Sequence, residues 1–134
     1  MRQMTNTSRV LLVEDEALVS DMVAEVLAEH GFEVHAVPDA RGALEHLMEG
    51  APCDILFTDI NLPGGVDGAV LARLARALRP KLAVVYASGA IGSLHDLVAV
   101  SGSTFVPKPY DPERVCALLD QYAQAAHGGS TIHH

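Results

Sequence analysis

Short apolar runs alternate along the chain with longer segments in which apolar residues recur every three or four positions. The runs lie at residues 10–13, 34–37, 55–57, 82–87 and 104–106, and the fifth is the weakest. A continuous apolar run is typical of a strand buried on both faces, as in a parallel sheet, whereas a half-exposed strand alternates. The pattern therefore predicts five buried strands.

The segments between the runs have the period of an amphipathic helix. The first has an apolar stripe of Leu18, Met22 and Val26. Aspartates stand where they can cap the second, third and fifth predicted helices, namely Asp39, Asp67 and Asp111. A short fourth helix is predicted at about residues 93–100. Strand and helix alternate five times, which predicts an α/β fold: a (βα)5 doubly wound parallel five-stranded sheet with helices on both faces.

The length of 134 residues fits a single domain, predicted at residues 8–127. Residues 1–7 and 128–134 are predicted to be flexible tails, and the terminal His133 and His134 are either native or added. No apolar segment resembles a signal peptide or reaches the roughly 18 residues of a membrane span. Two cysteines are too few for a disulfide framework. These features predict a cytoplasmic protein without a membrane partner.

The formal charge of −8 argues against direct binding to nucleic acid, which needs a basic patch. The positions of the acidic residues are more informative than their number. Ligands of an open parallel sheet bind beyond the carboxyl ends of its strands. Glu14 and Asp15 follow the first predicted strand and Asp59 the third, while Ser88 ends the fourth and Lys108 follows the fifth.

Three converging carboxylates repel one another unless a cation lies among them, and Mg²⁺ is a natural partner for oxygen ligands. An aspartate can also attack phosphorus as a nucleophile. A metal ion, a lysine and a hydroxyl can together neutralise the charge on the transferred phosphoryl oxygens. The residues at the strand ends therefore fit phosphoryl transfer onto an aspartate.

The same residues resemble the receiver domain of bacterial two-component response regulators. The resemblance covers about residues 8–126 and rests on motifs at residues 10–16, 59–64, 86–89 and 105–110. Each motif is weak by itself, but four in order at strand ends are highly specific. The resemblance implies the flavodoxin-like strand order 2-1-3-4-5. It also implies a domain that accepts a phosphoryl group from a histidine kinase or histidine phosphotransfer protein, rather than an enzyme that turns over external substrates.

By this resemblance, Asp59 is the phosphoacceptor. Glu14 and Asp15 are the acidic pair that holds Mg²⁺ together with Asp59, and the backbone carbonyl of Asn61 is a further ligand. The first acidic position carries Glu where the family more often has Asp. The extra methylene predicts that Glu14 contacts the metal through water.

The resemblance also implies a conformational switch. Ser88 supplies the hydroxyl that turns toward the phosphoryl group, and Lys108 supplies the cation that pairs with it. Phe105 stands at the position of the family's switch aromatic, although an ordinary packing role is equally open for it. The Lys108–Pro109 peptide bond is typically cis in relatives. The loop from Asp59 to Gly68 is one residue longer than the commonest spacing.

The sequence is compatible with more than one output and more than one function. No output domain follows residue 127, so the signal is expected to pass to a downstream protein effector, and a homodimer is possible. The sequence fits both a free-standing regulator and the receiver of a hybrid kinase. A hydrolase of small phosphate esters that works through an aspartyl phosphate is the alternative function. A flavodoxin-like ligand binder is disfavoured, because the strand-end carboxylates would repel a cofactor phosphate and no glycine-rich phosphate loop is present.

Overall fold

A computed structural model describes residues 8–64, 66–89 and 99–128 of the chain. Five strands form one sheet: β1 (Arg9–Val13), β2 (Glu33–Val37), β3 (Ile55–Asp59), β4 (Ala83–Ser88) and β5 (Thr104–Pro107). Four helices are described: α1 (Ala17–Glu29), α2 (Ala40–Met48), α3 (Gly68–Leu78) and α4 (Pro112–Gly128). All neighbouring strands are parallel, in the order β2-β1-β3-β4-β5. This order confirms the predicted doubly wound, flavodoxin-like sheet.

The tails and one helix of the predicted layout are not tested. Residues 1–7 and 129–134 lie outside the described residues, and Gly128 is the last residue of α4. Most of the fourth predicted helix, at residues 93–98, also lies outside the described residues. The domain bounds of 8–127 therefore stay a prediction.

The central strands are buried on both faces, as their continuous apolar runs predict, but the prediction of five buried strands was wrong for the edge strands β2 and β5, which have a neighbouring strand on one side only and contain no buried residue. Every residue of β3 and four of the five residues of β1 are buried. Alternate side chains of each strand enter opposite cores, because successive residues of a strand point to opposite faces. One core, between the sheet and helices α2 and α3, includes Leu11, Leu56, Tyr86, Leu47 and Leu71. The other, between the sheet and helices α1 and α4, includes Leu12, Phe57, Val85, Leu27 and Leu119.

The helices start where the capping residues predict. The carboxylate of Asp39 accepts a hydrogen bond from the Gly42 N–H at 2.9 Å, and that of Asp67 accepts one from the Val70 N–H at 2.9 Å. The carboxylate of Asp111 accepts from the Glu113 N–H at 3.0 Å. These bonds satisfy amide groups that have no partner within the helix itself.

One arginine ties helix α2 to helix α3. The half-buried guanidinium of Arg79, at the end of α3, donates from Nη2 to the carbonyl of Leu47 at 3.0 Å and to that of Ala51 at 2.7 Å. These carbonyls lie at and just beyond the carboxyl end of α2. Arg79 therefore caps a neighbouring helix from a position 28 to 32 residues away.

Among the described helices, none combines the length and the apolar character that a membrane crossing requires.

Candidate functional site

Three carboxylates meet at the carboxyl edge of the sheet. Glu14 and Asp15 directly follow β1, and Asp59 is the last residue of the neighbouring strand β3. One oxygen from each carboxylate lies within 4.8 Å of the other two. Glu14 and Asp59 are only 4% and 6% exposed, whereas Asp15 is exposed to solvent. The three acids expected to converge are thus brought together, two of them inside the protein.

Lys108 places one positive charge between the two buried carboxylates. It directly follows β5, and its backbone N–H donates to the carbonyl of Ser88 at 2.9 Å. Its Nζ donates to Oδ2 of Asp59 at 2.9 Å and to Oε1 of Glu14 at 3.4 Å. The Lys108–Pro109 peptide bond is cis. The site as a whole contains three carboxylates and one ammonium, so it carries an excess of negative charge.

Burial and ion pairing act in opposite directions on the pKa values of Glu14 and Lys108. Burial raises the pKa of Glu14, although the Glu16 N–H and the Lys108 ammonium both favour the charged carboxylate. Burial also disfavours the charge on Lys108. The hydrogen bond and attraction of Asp59, with a further contribution from Glu14, outweigh that effect and raise the pKa of the ammonium. Lys108 therefore stays protonated at neutral pH.

Each oxygen of Glu14 already has a protein partner. Oε1 accepts from Lys108, and Oε2 accepts from the backbone N–H of Glu16 at 3.1 Å, at the start of α1. The Glu14 carboxylate thus holds the backbone of the residue that precedes α1 and also takes part in the acidic site.

The loop after β3 begins with contacts to the aspartate itself. Oδ1 of Asp59 accepts from the Asn61 N–H at 3.2 Å, so Asn61 lies beside the carboxylate as expected. The hydroxyl of Thr58 donates to the Asp59 backbone carbonyl at 2.9 Å. The Ile60 N–H donates to the carbonyl of Ala87 on β4 at 2.9 Å. Side chain and backbone of Asp59 are both held in place.

Gly68, which the sequence only marks as the end of a longer loop, packs directly against this backbone. A Cβ atom built at Gly68 would lie 2.1 Å from the carbonyl oxygen of Asp59 and 2.9 Å from Cα of Ile60. The Gly68 N–H donates to the carbonyl of Ile60 at 2.7 Å. The sequence contains one signal for this close packing. Gly68 lies in the first turn of a capped helix, where glycine has no conformational advantage.

The two predicted switch residues lie on β4 and β5. Ser88 ends β4 and is fully buried, next to the edge where Asp59 ends β3. Phe105 lies opposite Tyr86 across the β4–β5 pair, with ring centroids 4.9 Å apart and planes 25° from parallel. Sequence reasoning placed Tyr86 in a motif but gave it no role.

Aromatic and aliphatic side chains border the acidic site on the α1 side. Tyr110 follows the Lys108–Pro109 bond, and burial, with the Glu14 carboxylate adding, raises the pKa of its hydroxyl to about 12. Val19 and Met22 of α1 line a shallow cleft with Pro109 and Tyr110. Near neutral pH the tyrosine is therefore a neutral wall of the site.

The fold and the site define an α/β domain of flavodoxin-like strand order with an acidic site at the carboxyl edge of its sheet. The family model for the response regulator receiver domain matches residues 10–120 of this chain. The chain therefore belongs to the response regulator receiver domain family, whose members are signalling proteins of two-component systems.

Individual relatives agree with this assignment. The nitrogen assimilation regulatory protein NtrX of Azorhizobium caulinodans is 30% identical over 116 residues, which cover 84% of this chain and 25% of that protein. The transcriptional regulatory protein CseB of Streptomyces coelicolor is 30% identical over 134 residues, covering 96% of this chain and 56% of that protein. The chain thus spans between about a quarter and just over half of these relatives.

A solved structure shares the fold over nearly its whole length. A response regulator receiver protein from Sinorhizobium medicae superposes with a TM-score of 0.84 at 31% identity, covering 89% of this chain and 96% of that chain.

Proposed function

We propose that this domain accepts a phosphoryl group on Asp59 and thereby signals to a protein partner. The observation that carries the proposal is the buried Asp59 carboxylate, which is held by the Lys108 ammonium at 2.9 Å and lies within 4.8 Å of two further acids. An aspartate buried for structural reasons alone needs one counter-charge, not two additional carboxylates, because like charges in one place are destabilising. The cluster suits a site that binds cations and anions in turn.

In the proposed reaction, a carboxylate oxygen of Asp59 attacks the phosphorus of a phosphohistidine on the donor protein. An O–P bond forms, the N–P bond breaks, and its electron pair stays with the imidazole nitrogen. Lys108 supplies positive charge to the phosphoryl oxygens and Ser88 supplies a hydroxyl donor. We propose the same roles for these residues when the acyl phosphate is hydrolysed, so the domain assists its own chemistry without being a turnover enzyme.

The donor set fits Mg²⁺. Carboxylate and carbonyl oxygens are hard ligands, and the candidate ligands are Glu14, Asp15, Asp59 and the backbone carbonyl of Asn61. When bound, Mg²⁺ neutralises charge on the transferring phosphoryl group. The oxygens of Glu14 already accept from Lys108 and from the Glu16 N–H. This supports a contact between Glu14 and the metal through water, with Asp15 and Asp59 as direct ligands.

The donor, a histidine kinase or histidine phosphotransfer protein, is proposed to dock against the start of α1. Leu18 and Met22, one turn apart on this helix, are 85% and 48% exposed. The shallow cleft lined by Met22, Pro109 and Tyr110 continues this apolar surface to Lys108. A partner helix that packs here would bring a phosphohistidine to the edge of the site. We further propose a cytoplasmic location, as is typical of receiver domains, and a downstream protein effector.

Phosphorylation with acetyl phosphate and Mg²⁺ tests the assignment of the acceptor. The mass of the intact protein is expected to rise by one phosphoryl group in the wild type and to stay unchanged in Asp59→Asn. Asp54→Asn is the matched control, because Asp54 lies just before the opposite end of β3, where its carboxylate accepts from the Arg9 N–H at 2.8 Å. Labelling of Asp59→Asn to the wild-type level would show that Asp59 is not the acceptor. Sustained release of phosphate from a small ester would instead favour the hydrolase alternative.

A further inference from the structure

Tyr86 is a fully buried tyrosine on the strand that ends at the predicted switch hydroxyl. It lies two residues before Ser88 on β4, so the two side chains point to the same face of the sheet. Its ring stacks on Phe105 of β5 and belongs to the core between the sheet and helices α2 and α3. The pair thus lies directly below the carboxyl edge that carries the acidic site.

The hydroxyl of Tyr86 holds the turn that leads into β5. It accepts a hydrogen bond from the backbone N–H of Val100 at 3.1 Å, and it also hydrogen-bonds with the side chain of Ser103. The Ser103 hydroxyl donates in turn to the Val100 carbonyl at 2.7 Å. Two hydrogen bonds therefore join one tyrosine on β4 to the turn at residues 99–103, and a third lies within the turn itself.

This network needs a neutral hydroxyl, which can donate and accept at once. Burial raises the pKa of Tyr86, and the hydrogen bond from Val100, together with the one shared with Ser103, only partly offsets that shift. A phenylalanine at this position would fill the same space and keep the stacking, but it would leave the Val100 N–H without this partner. A purely apolar core would not need the hydroxyl.

We propose that Tyr86 is a positioning residue that couples the phosphorylation site at Asp59 and Ser88 to the turn at residues 99–103. The inference deepens the proposed function and rests on it. When Ser88 moves toward a phosphoryl group, the side chains on the same face of β4 and β5 must repack, because a close-packed core does not deform continuously. The stacked pair of Tyr86 and Phe105 transmits this change, and the hydroxyl passes it to Val100.

Coupling of this kind is reciprocal. If phosphorylation changes the hydrogen bond between Val100 and Tyr86, then removal of that bond must change the affinity of the site for a phosphoryl mimic by the same factor. A hydroxyl that only supports the fold contributes equally to both states. It would leave the affinity of the site unchanged.

The experiment measures hydrogen exchange of the Val100 amide in the full chain, with and without beryllium trifluoride and Mg²⁺. Tyr86→Phe is the test variant. Tyr122→Phe is the matched control, because the Tyr122 hydroxyl hydrogen-bonds to Thr104 and to the Gly102 carbonyl, next to the same turn but from α4. Fluorine NMR titrations of all three proteins give the concentration of beryllium trifluoride at half-saturation.

In the wild type and in Tyr122→Phe, loading is expected to change the exchange rate of Val100 by about five- to tenfold, the effect of one buried hydrogen bond. In Tyr86→Phe the difference between loaded and free protein disappears, and the half-saturation concentration shifts by a similar factor. Equal acceleration in both states, with an unchanged half-saturation concentration, would overturn the proposal, as would a Val100 rate in the wild type that is insensitive to loading. Failure of the proposed function is distinguishable, because the wild type would then show no Mg²⁺-dependent fluorine signal that Asp59→Asn abolishes.

Discussion

Replacement of Gly68 by alanine tests how tightly helix α3 packs against the phosphoacceptor candidate. The added Cβ would lie 2.1 Å from the carbonyl oxygen of Asp59, well inside the 3.0 Å that such atoms essentially never cross. Neither the backbone of Asp59 nor the first turn of α3 can move easily. The Asp59 carbonyl accepts from the Thr58 hydroxyl at 2.9 Å, and the Gly68 N–H donates to the Ile60 carbonyl at 2.7 Å. Relief of the clash therefore requires the first turn of α3 to move away from β3.

Two effects of opposite sign determine the size of the change. Alanine is the better helix former by about 1 kcal/mol, which would stabilise a helix with free space at this position. Overpacking against a fixed backbone costs about 1–3 kcal/mol, and loss of the hydrogen bond to Ile60 costs about 1 kcal/mol more. The packing terms outweigh the helix propensity. We expect Gly68→Ala to lower the free energy of unfolding by about 1–3 kcal/mol, a large share of a small domain's stability.

Urea denaturation followed by circular dichroism measures this change, and the midpoint is expected to fall by about 1 M. Gly42→Ala is the matched control, because Gly42 also lies in the first turn of a helix. The atoms nearest to a Cβ there belong to the side chains of Val37, at 3.2 Å, and Asp39, at 3.3 Å, which can give by a few tenths of an ångström. Its effect should be at least 1 kcal/mol smaller than that of Gly68→Ala. A Gly68→Ala protein as stable as the wild type would refute the claimed close approach.

Three further predictions concern stability and reactivity away from the acidic site. Arg79→Ala removes hydrogen bonds to two carbonyls at the end of α2 and should lower the free energy of unfolding by about 1–2 kcal/mol in urea titrations. Burial raises the pKa of the Cys116 thiol, like that of Cys53, to about 11, so in the folded protein both should react with a thiol reagent at pH 8 far more slowly than in urea. Burial, with the stacked His35 adding, lowers the pKa of His46 below its unfolded value. The unfolded state then binds the proton first as the pH falls below about 6.5, so stability should drop across that window and drop less in His46→Gln.

The local pattern and the chain order predicted the parallel sheet and the meeting of the acids, whereas the strand order was implied by the family resemblance. Continuous apolar runs identify buried strands, and the carboxyl ends of parallel strands share an edge, so Glu14, Asp15, Asp59 and Lys108 had to approach one another. The capping roles of Asp39, Asp67 and Asp111 depend only on neighbours three residues away or fewer, and the structure places all three as predicted.

The features that the sequence did not reveal depend on contacts between distant segments. In the sequence, Tyr86 is only one more apolar position of its strand. Its contact with the turn depends on the N–H of Val100, 14 residues later, which donates to the Tyr86 hydroxyl. Arg79 ends a helix like many surface arginines, and its two carbonyl partners lie about 30 residues earlier. The constraint on Gly68 arises from the approach of the first turn of α3 to the backbone of Asp59 and Ile60, eight to nine residues earlier. A local sequence pattern cannot predict contacts between residues that are so far apart in the chain.

The electrostatics of the site suggest how a covalent change there can be sensed elsewhere. Lys108 is shared between Glu14 and Asp59, and its ammonium is the positive charge seen among the three acids of the described site. A phosphoryl group on Asp59 adds about −1.5 to −2 charges and competes for the same ammonium. In the proposed function, Lys108 must therefore shift toward the phosphoryl oxygens while Ser88 turns to meet them. The backbones of these two residues are joined by the hydrogen bond from Lys108 to the Ser88 carbonyl. Both movements thus act on the same β4–β5 pair, and the stack of Tyr86 on Phe105 lies within that pair.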